Sequence, residues 1–278
     1  MSRRVALIGR PLRRRHSQVM HDAAFAANGI DARYELRELE PAELDDFVAE
    51  ASGEAWLGFQ VTAPYKRDVF GLVDTVEPAA EAIGAVNSVV RRPDGTLLGF
   101  NTDAPGFAAA VEAELGLRLE GARVAVAGAG GAARAVAYAA LDAGAADVAV
   151  GARRAAAAEA LAEALGGTGH ALDGDGFRAA LADADLFVNA TTVGMLSPGA
   201  VIDPAVLRAG AAVFDLVYVP PETELLRLAR ARGLRAANGA GMLVHQAAIA
   251  FRRWTGVEDS SATMRAAVAP LLEQGAQP

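Results

Sequence analysis

The chain has 278 residues, no cysteine, and 26 basic against 34 acidic side chains, for a formal charge of −8. That length accommodates two cores, and the missing cysteines exclude disulfides, thiolate metal sites and thiol nucleophiles. The acidic balance argues against nucleic acid or an anionic membrane as a general partner, with Arg10, Arg13, Arg14 and Arg15 as a local basic exception. No apolar run approaches the ~18 residues of a membrane span and the N-terminus lacks a signal-like core, so a soluble, cytoplasmic protein is expected.

The first hundred residues alternate short strand-like runs with amphipathic helices. Strands are predicted over residues 5–8, 33–39, 56–61 and 85–90, and helices over 17–29, 41–51 and 77–83. Proline opens the 41–51 helix, where its missing N–H costs nothing. Pro93-Asp94-Gly95 turns the chain into Leu97-Leu98-Gly99-Phe100, which closes a hairpin. This pattern predicts an α/β domain with a mixed sheet.

A helix over residues 104–115 leads to a second pattern. Val124-Ala125-Val126-Ala127 breaks into Gly128-Ala129-Gly130-Gly131-Ala132-Ala133-Arg134 and then an alanine-rich helix. Strand, glycine turn and helix start form the G-x-G-x-x-A arrangement, in which glycines admit a pyrophosphate and the helix N-terminus supplies N–H groups and positive dipole. The next strand, Asp147-Val148-Ala149-Val150, runs into Gly151-Ala152-Arg153-Arg154. A carboxylate there would hold the ribose hydroxyls of NAD. Two guanidiniums suit a 2′-phosphate instead, so NADP is the expected cofactor.

Further strands are predicted over residues 186–188, 212–217 and 234–237, each after a helical segment, as in a parallel sheet with right-handed crossovers. Helices over 241–251 and 261–272 close the chain and are expected to return to the first domain. The expected division is therefore 1–103 with 239–278 as one discontinuous domain and 104–238 as the dinucleotide domain.

A dinucleotide domain beside a second α/β domain implies a cleft where a small molecule meets the nicotinamide. Polar clusters follow apolar strands at Gln60-Val61-Thr62-Ala63-Pro64-Tyr65-Lys66, at Asn87-Ser88 and at Asn101-Thr102-Asp103. Strand ends are where open α/β sheets keep their sites. His16, His21 and His245 lack metal-ligand spacing with nearby carboxylates, so no metal is implied.

At these residues the chain resembles the shikimate dehydrogenase family, almost from end to end. The resemblance is carried by Gly9-x-Pro11-Leu12 with Ser17 and His21, Val61-Thr62-x-Pro64-x-Lys66, Gly84-Ala85-Val86-Asn87, Asn101-Thr102-Asp103 and Gly128-Ala129-Gly130-Gly131. It continues through Asn189-Ala190-Thr191-Thr192-Val193-Gly194-Met195, Asp215-Leu216-Val217-Tyr218, Gly241-Met242-Leu243-x-x-Gln246 and Phe251-x-x-Trp254-x-Gly256. It implies a mixed-sheet substrate domain completed by the C-terminal helices, a Rossmann-type NADP-binding domain, and a cleft between them.

The implied activity is reversible NADPH-dependent reduction of 3-dehydroshikimate to shikimate in chorismate and aromatic amino acid biosynthesis, with Lys66 and Asp103 as the catalytic pair. An ammonium beside the carbonyl stabilises the charge that grows on oxygen and delivers a proton. By the same matching, Ser17, Thr62, Asn87, Tyr218 and Gln246 contact the substrate. Gly128, Ala129, Gly130, Gly131 and Ala132 cradle the pyrophosphate, Arg153 and Arg154 hold the phosphate end, and Thr191, Met195, Val217 and Gly241 border the nicotinamide.

Blander roles stand beside these: a helix cap for Ser17 or Asp103, surface exposure for Lys66, a solvated helix face for Gln246 and packing for Met195. The chain also departs from the family pattern. Arg14 and Arg15 stand where a histidine and the first of two serines are usual, Ser17 being the second; Gln60 replaces asparagine, and Ala152 and Arg154 flank Arg153 in place of asparagine and threonine. Arg15 either binds the substrate carboxylate or points into solvent, and Gln60 reaches one methylene deeper into the pocket. A dehydrogenase for quinate or an aminoshikimate, or a non-catalytic NADP-binding regulatory module, therefore remain alternatives. Monomer and homodimer are both open.

Overall fold

The computed structural model describes residues 2–12 and 15–273, so Arg13 and Arg14 of the basic stretch lie outside the described residues. The chain forms two compact units, one reaching Thr102 and resuming for Val244–Leu271, the other running over Asp103–Leu243 and including Leu272.

The first unit contains, in order, β1 (Arg3–Gly9), α1 (His16–Ala27), β2 (Ala32–Glu38), α2 (Leu44–Ala51), β3 (Trp56–Val61), β4 (Thr75–Val76), α3 (Pro78–Ile83), β5 (Ser88–Arg91) and β6 (Leu97–Phe100). Its sheet has the order β2-β1-β3-β5-β6-β4. β1 is parallel to β2 and β3, whereas β5 is antiparallel to β3 and β6, giving the expected mixed sheet. Strand β3 is buried at five of its six positions, as a central strand covered on both faces must be. Its Trp56 and Phe59 meet Phe47 of α2 edge-on, with ring centroids 5.4 and 5.2 Å away.

Two local expectations shift. The helix predicted over residues 41–51 divides into a 3-10 turn, Pro41–Glu43, and α2, because Glu40 and Glu43 close a capping box around the turn. The strand predicted over residues 85–90 pairs only from Ser88. Before it, the Val86 N–H donates to the Lys66 carbonyl at 2.9 Å, so this stretch ties a turn rather than extending the ladder.

The second unit follows with α4 (Asp103–Leu115), β7 (Arg123–Ala127), α5 (Gly131–Asp142), β8 (Asp147–Ala152), α6 (Ala155–Leu165), β9 (Thr168–Ala171), α7 (Asp175–Asp183), β10 (Leu186–Asn189), β11 (Ala212–Asp215), α8 (Glu224–Ala231) and β12 (Arg235–Asn238). All its strands are parallel, in the order β12-β11-β10-β7-β8-β9. The chain thus winds one way from β7 through β9, then returns to the other side of β7 for β10 through β12. The reversal between β7 and β10 opens the crevice where such sheets bind dinucleotides. Below it, Phe177, Phe187, Val213, Leu225 and Leu226 pack into a core.

Helix α9 (Ala240–Thr255) begins in the second unit and continues into the first, and α10 (Ser261–Glu273) follows. Within the first unit, α9 is locked to the sheet by Trp254, whose indole Nε1 donates to the Val89 carbonyl at 2.9 Å. Gly58 makes room for this bond, since a Cβ there would stand 2.6 Å from Trp254 Nε1. No helix of the described residues is long and apolar enough to cross a membrane.

Candidate functional site

At the carboxyl end of β3, three backbone bonds pin the turn that carries Thr62 and Lys66. The Thr62 N–H donates to the Ile8 carbonyl at 2.9 Å, the Val61 N–H to the Asn87 carbonyl at 2.8 Å, and the Lys66 carbonyl accepts from Val86 as above. Gly9 is required beside this turn, because a Cβ there would lie 2.3 Å from Thr62 Cγ2. Tyr65, 2% exposed, anchors the turn from below by donating its hydroxyl to the Leu39 carbonyl at 2.6 Å. Lys66 itself is half-buried rather than a free surface side chain.

The polar residues beside this turn form one hydrogen-bonded chain. Asn87 Oδ1 accepts from the Thr102 N–H at 2.8 Å, and Asn87 Nδ2 donates to Thr102 Oγ1 at 3.0 Å. The Thr102 hydroxyl proton has two acceptors in reach, Asn87 Oδ1 at 3.3 Å and Gln246 Oε1 at 3.4 Å. Gln246 Oε1 also accepts from Gln60 Nε2 at 2.9 Å. Gln60 Oε1 in turn accepts from the Tyr34 hydroxyl at 2.6 Å and lies 3.2 Å from His21 Nε2. Ser17 hydrogen-bonds the Tyr34 phenol at the far end.

All of these side chains except Ser17 are buried, and burial governs their charge states. Desolvation holds the His21 imidazole down to about 3, so the ring is neutral at physiological pH. The same cause pushes the Tyr34 phenol well above its ordinary value. The chain therefore presents neutral donors and acceptors, suited to a polyhydroxylated ligand.

Ser17, Gln60, Asn87 and Gln246 are thus brought into one network, and Thr62 and Lys66 are fixed beside it by backbone. Ser17 does not cap α1, which starts at His16 after Arg15 with no side-chain cap. Gln246 is 8% exposed and not on a solvated face. Arg15 is exposed, and its Nε donates to Gln18 Oε1 at 3.1 Å. Tyr34, His21 and Thr102 carry the network yet received no role from the sequence. A buried tyrosine two strands from Gln60 leaves no mark in residue order.

In the second unit, Asp103 is the first residue of α4 and 9% exposed. Gly128 follows β7 with φ +118°, and a Cβ there would lie 2.8 Å from the Ala190 carbonyl, so only glycine fits the turn. Ala129 and Ala132 are half-buried, Gly130 and Gly131 are exposed, and no side chain caps the start of α5. Open N–H groups at a helix start beside a bare glycine turn fit a pyrophosphate. Arg153 and Arg154 stand exposed between β8 and α6, just beyond the strand that pairs with β7.

Across the reversal point, β10 and β11 end in a buried polar cluster. Asn189 Oδ1 accepts from the Thr191 N–H at 3.0 Å and its hydroxyl at 2.7 Å, and Asn189 Nδ2 donates to the Val193 carbonyl at 3.1 Å. Asp215 Oδ1 accepts from Asn189 Nδ2 at 2.9 Å and from the Val217 N–H at 3.1 Å, while Oδ2 takes the Thr223 hydroxyl at 2.6 Å. Burial raises the Asp215 carboxyl above its ordinary value despite these donors. The cluster shapes the loops carrying Thr191, Met195, Val217 and Tyr218. Asn189 and Asp215 belong to the motifs that carry the family resemblance but had no assigned role, and Thr223 lies outside those motifs. Met195 is 38% exposed and so is not core packing. Gly241 is buried in the first turn of α9, where a Cβ would lie 2.1 Å from Glu114 Oε1.

Comparison with known proteins agrees with this layout. Residues 7–89 match the family model described as the shikimate dehydrogenase substrate binding domain. Residues 109–203 match shikimate / quinate 5-dehydrogenase, and residues 239–269 the shikimate 5′-dehydrogenase C-terminal domain. The shikimate dehydrogenase (NADP(+)) of Methylobacterium radiotolerans is 44% identical over 257 residues, 91% of each chain. Shikimate 5-dehydrogenase from Thermus thermophilus, solved in complex with NADP(H) and shikimate, superposes with a TM-score of 0.87 at 37% identity, covering 96% of this chain and 99% of that one. Quinate dehydrogenase from Corynebacterium glutamicum, solved with NAD, gives a TM-score of 0.88 at 35% identity over 97% and 99% of the two chains. With these matches running nearly its whole length, the chain belongs to the shikimate dehydrogenase family.

Proposed function

We propose that this protein catalyses the reversible, NADPH-dependent reduction of 3-dehydroshikimate to shikimate, in chorismate and aromatic amino acid biosynthesis. The observation that carries this reading is the buried chain from Asn87 through Thr102 and Gln246 to Gln60, set beside the pinned Thr62–Lys66 turn. A hydroxylated ring acid needs several fixed donors and acceptors to be held in one pose, and a neutral network of amides and hydroxyls supplies them.

In this reading Ser17, Thr62, Asn87, Tyr218 and Gln246 hold the ring hydroxyls and carboxylate, and the exposed Arg15 offers the carboxylate a charged contact. The Lys66 ammonium stabilises the negative charge that develops on the carbonyl oxygen and delivers the proton to it, becoming a neutral amine; in the reverse direction that neutral amine accepts the proton from the hydroxyl. The Asp103 carboxylate orients the ammonium and the reacting hydroxyl. NADPH, when bound, supplies the hydride. The bare turn at Gly128, which a Cβ would obstruct, fits its pyrophosphate together with Ala129, Gly130, Gly131 and Ala132. Arg153 and Arg154 grip the 2′-phosphate, and Thr191, Met195, Val217 and Gly241 border the nicotinamide.

A quinate dehydrogenase is the second reading, favoured by the departure at Gln60 and the likeness to the Corynebacterium enzyme. Purified protein mixed with NADP⁺ and either shikimate or quinate separates the two by the absorbance of reduced cofactor. Faster reduction with shikimate supports the main reading, and faster reduction with quinate the second. No reduction with any cyclohexene or cyclohexane acid overturns both and leaves a non-catalytic NADP-binding module.

A further inference from the structure

We propose that Asn189 is a positioning residue for the nicotinamide half of the cofactor, acting through the Thr191 hydroxyl on one side and the Asp215 carboxylate on the other to preset the two loops that border the ring. The inference rests on the reading of Thr191 and Val217 as neighbours of that ring, and Asn189 itself touches no ligand.

A carboxamide offers two N–H donors and an oxygen with two lone pairs. Asn189, 1% exposed, uses all four. Nδ2 donates to Asp215 Oδ1 at 2.9 Å and to the Val193 carbonyl at 3.1 Å, and Oδ1 accepts the Thr191 N–H at 3.0 Å and its hydroxyl proton at 2.7 Å. The orientation is forced, because the carboxylate and the carbonyl only accept and the Thr191 N–H only donates. A carboxylate of the same shape at this position would set oxygen against both the Asp215 carboxylate and the Val193 carbonyl. The position calls for an amide and not merely for a side chain of this size.

Thr191 is turned by this arrangement. Its hydroxyl proton goes to Asn189 and its oxygen accepts the Val193 N–H at 3.1 Å, so the hydroxyl is engaged within the loop. The methyl is left to face the glycine turn, with Thr191 Cγ2 lying 3.4 Å from where a Cβ on Gly128 would stand. At the other end of the loop Gly194 packs against Thr223, whose Cγ2 lies 3.1 Å from where a Gly194 Cβ would stand, and the Thr223 hydroxyl returns to Asp215 Oδ2 at 2.6 Å. The second loop joins at the same carboxylate through the Val217 N–H at 3.1 Å, and the Leu216 N–H donates to the Asn189 carbonyl at 3.0 Å. One buried amide thus ties both loops to each other and to the glycine turn, and a loop so held spares a ligand the cost of ordering it.

Calorimetric titration of the full-length protein, without shikimate, tests this with NADPH and with adenosine 2′,5′-bisphosphate, which carries phosphates of the adenosine half and no nicotinamide. Asn189→Asp keeps the shape and the acceptor for Thr191 while replacing the NH2 by oxygen. It is expected to raise Kd for NADPH more than about threefold and to leave Kd for the bisphosphate within about twofold. A smaller rise for NADPH, or a matching rise for the bisphosphate, overturns the proposal. Should Asn189→Asp fail to fold, Thr191→Val, which replaces only the hydroxyl that Asn189 holds, takes its place with the same expected and contradicting results. Failure of the wild type to bind NADPH or the bisphosphate would instead overturn the underlying reading of the cofactor site.

Discussion

Asn189 and Asp215 end two neighbouring parallel strands in register, and Asn189 Nδ2 donates to Asp215 Oδ1 at 2.9 Å. The carboxylate also takes the Val217 N–H and the Thr223 hydroxyl, so one buried side chain fixes the ends of β10 and β11 and the cap of α8. Asp215→Ala strands these donors in the interior. The expected loss is about 2–4 kcal/mol of unfolding free energy in urea, with Asp215→Asn milder because an acceptor oxygen survives. A loss within about 0.5 kcal/mol for Asp215→Ala would show that the cluster contributes little.

His21 gives the fold a pH dependence of definite sign. Its folded value of about 3 lies below the ordinary 6.5, so on acidification the unfolded chain takes up a proton that the folded chain refuses. Its stabilising contribution is fully present above 6.5 and is lost as pH falls from there toward 3, by up to about 1.4 kcal/mol per pH unit. The groups facing the ring, Tyr34, Gln60, Phe251 and Trp254, carry no charge in that window. Urea denaturation at about pH 7 and about pH 5 is expected to give a steeper decline for the wild type than for His21→Phe. Parallel declines would mean that His21 protonates without unfolding the site.

Arg153 and Arg154 stand exposed after β8, where a ribose phosphate is proposed to lie. Replacing both by alanine is expected to raise KM for NADP⁺ about tenfold or more and leave KM for NAD⁺ within about twofold. A parallel rise for the two cofactors would contradict a phosphate clamp.

Much of this was legible in the residues because local rules sufficed. The glycine turn after β7, the 93–95 hairpin and the long helical patterns announce themselves by spacing. Strand β9, Thr168-Gly169-His170-Ala171, escaped because it is an edge strand without an apolar run, and β4 is only two residues long. At the site, motif letters located Lys66, Asn87 and Gln246. The buried links through Tyr34, His21 and Thr102 depend on which strands lie side by side, as the pairing of Leu7 with Leu36 and Gln60 illustrates, and residue order does not encode that directly.

Steady-state kinetics of Lys66→Ala with shikimate and NADP⁺ tests the central claim most directly. If the Lys66 amine takes the proton of the reacting hydroxyl, kcat is expected to fall by about 10²- to 10⁴-fold while KM for NADP⁺ stays within about twofold. A variant that turns over at close to the wild-type rate, or one that loses cofactor affinity as steeply as rate, would contradict that role.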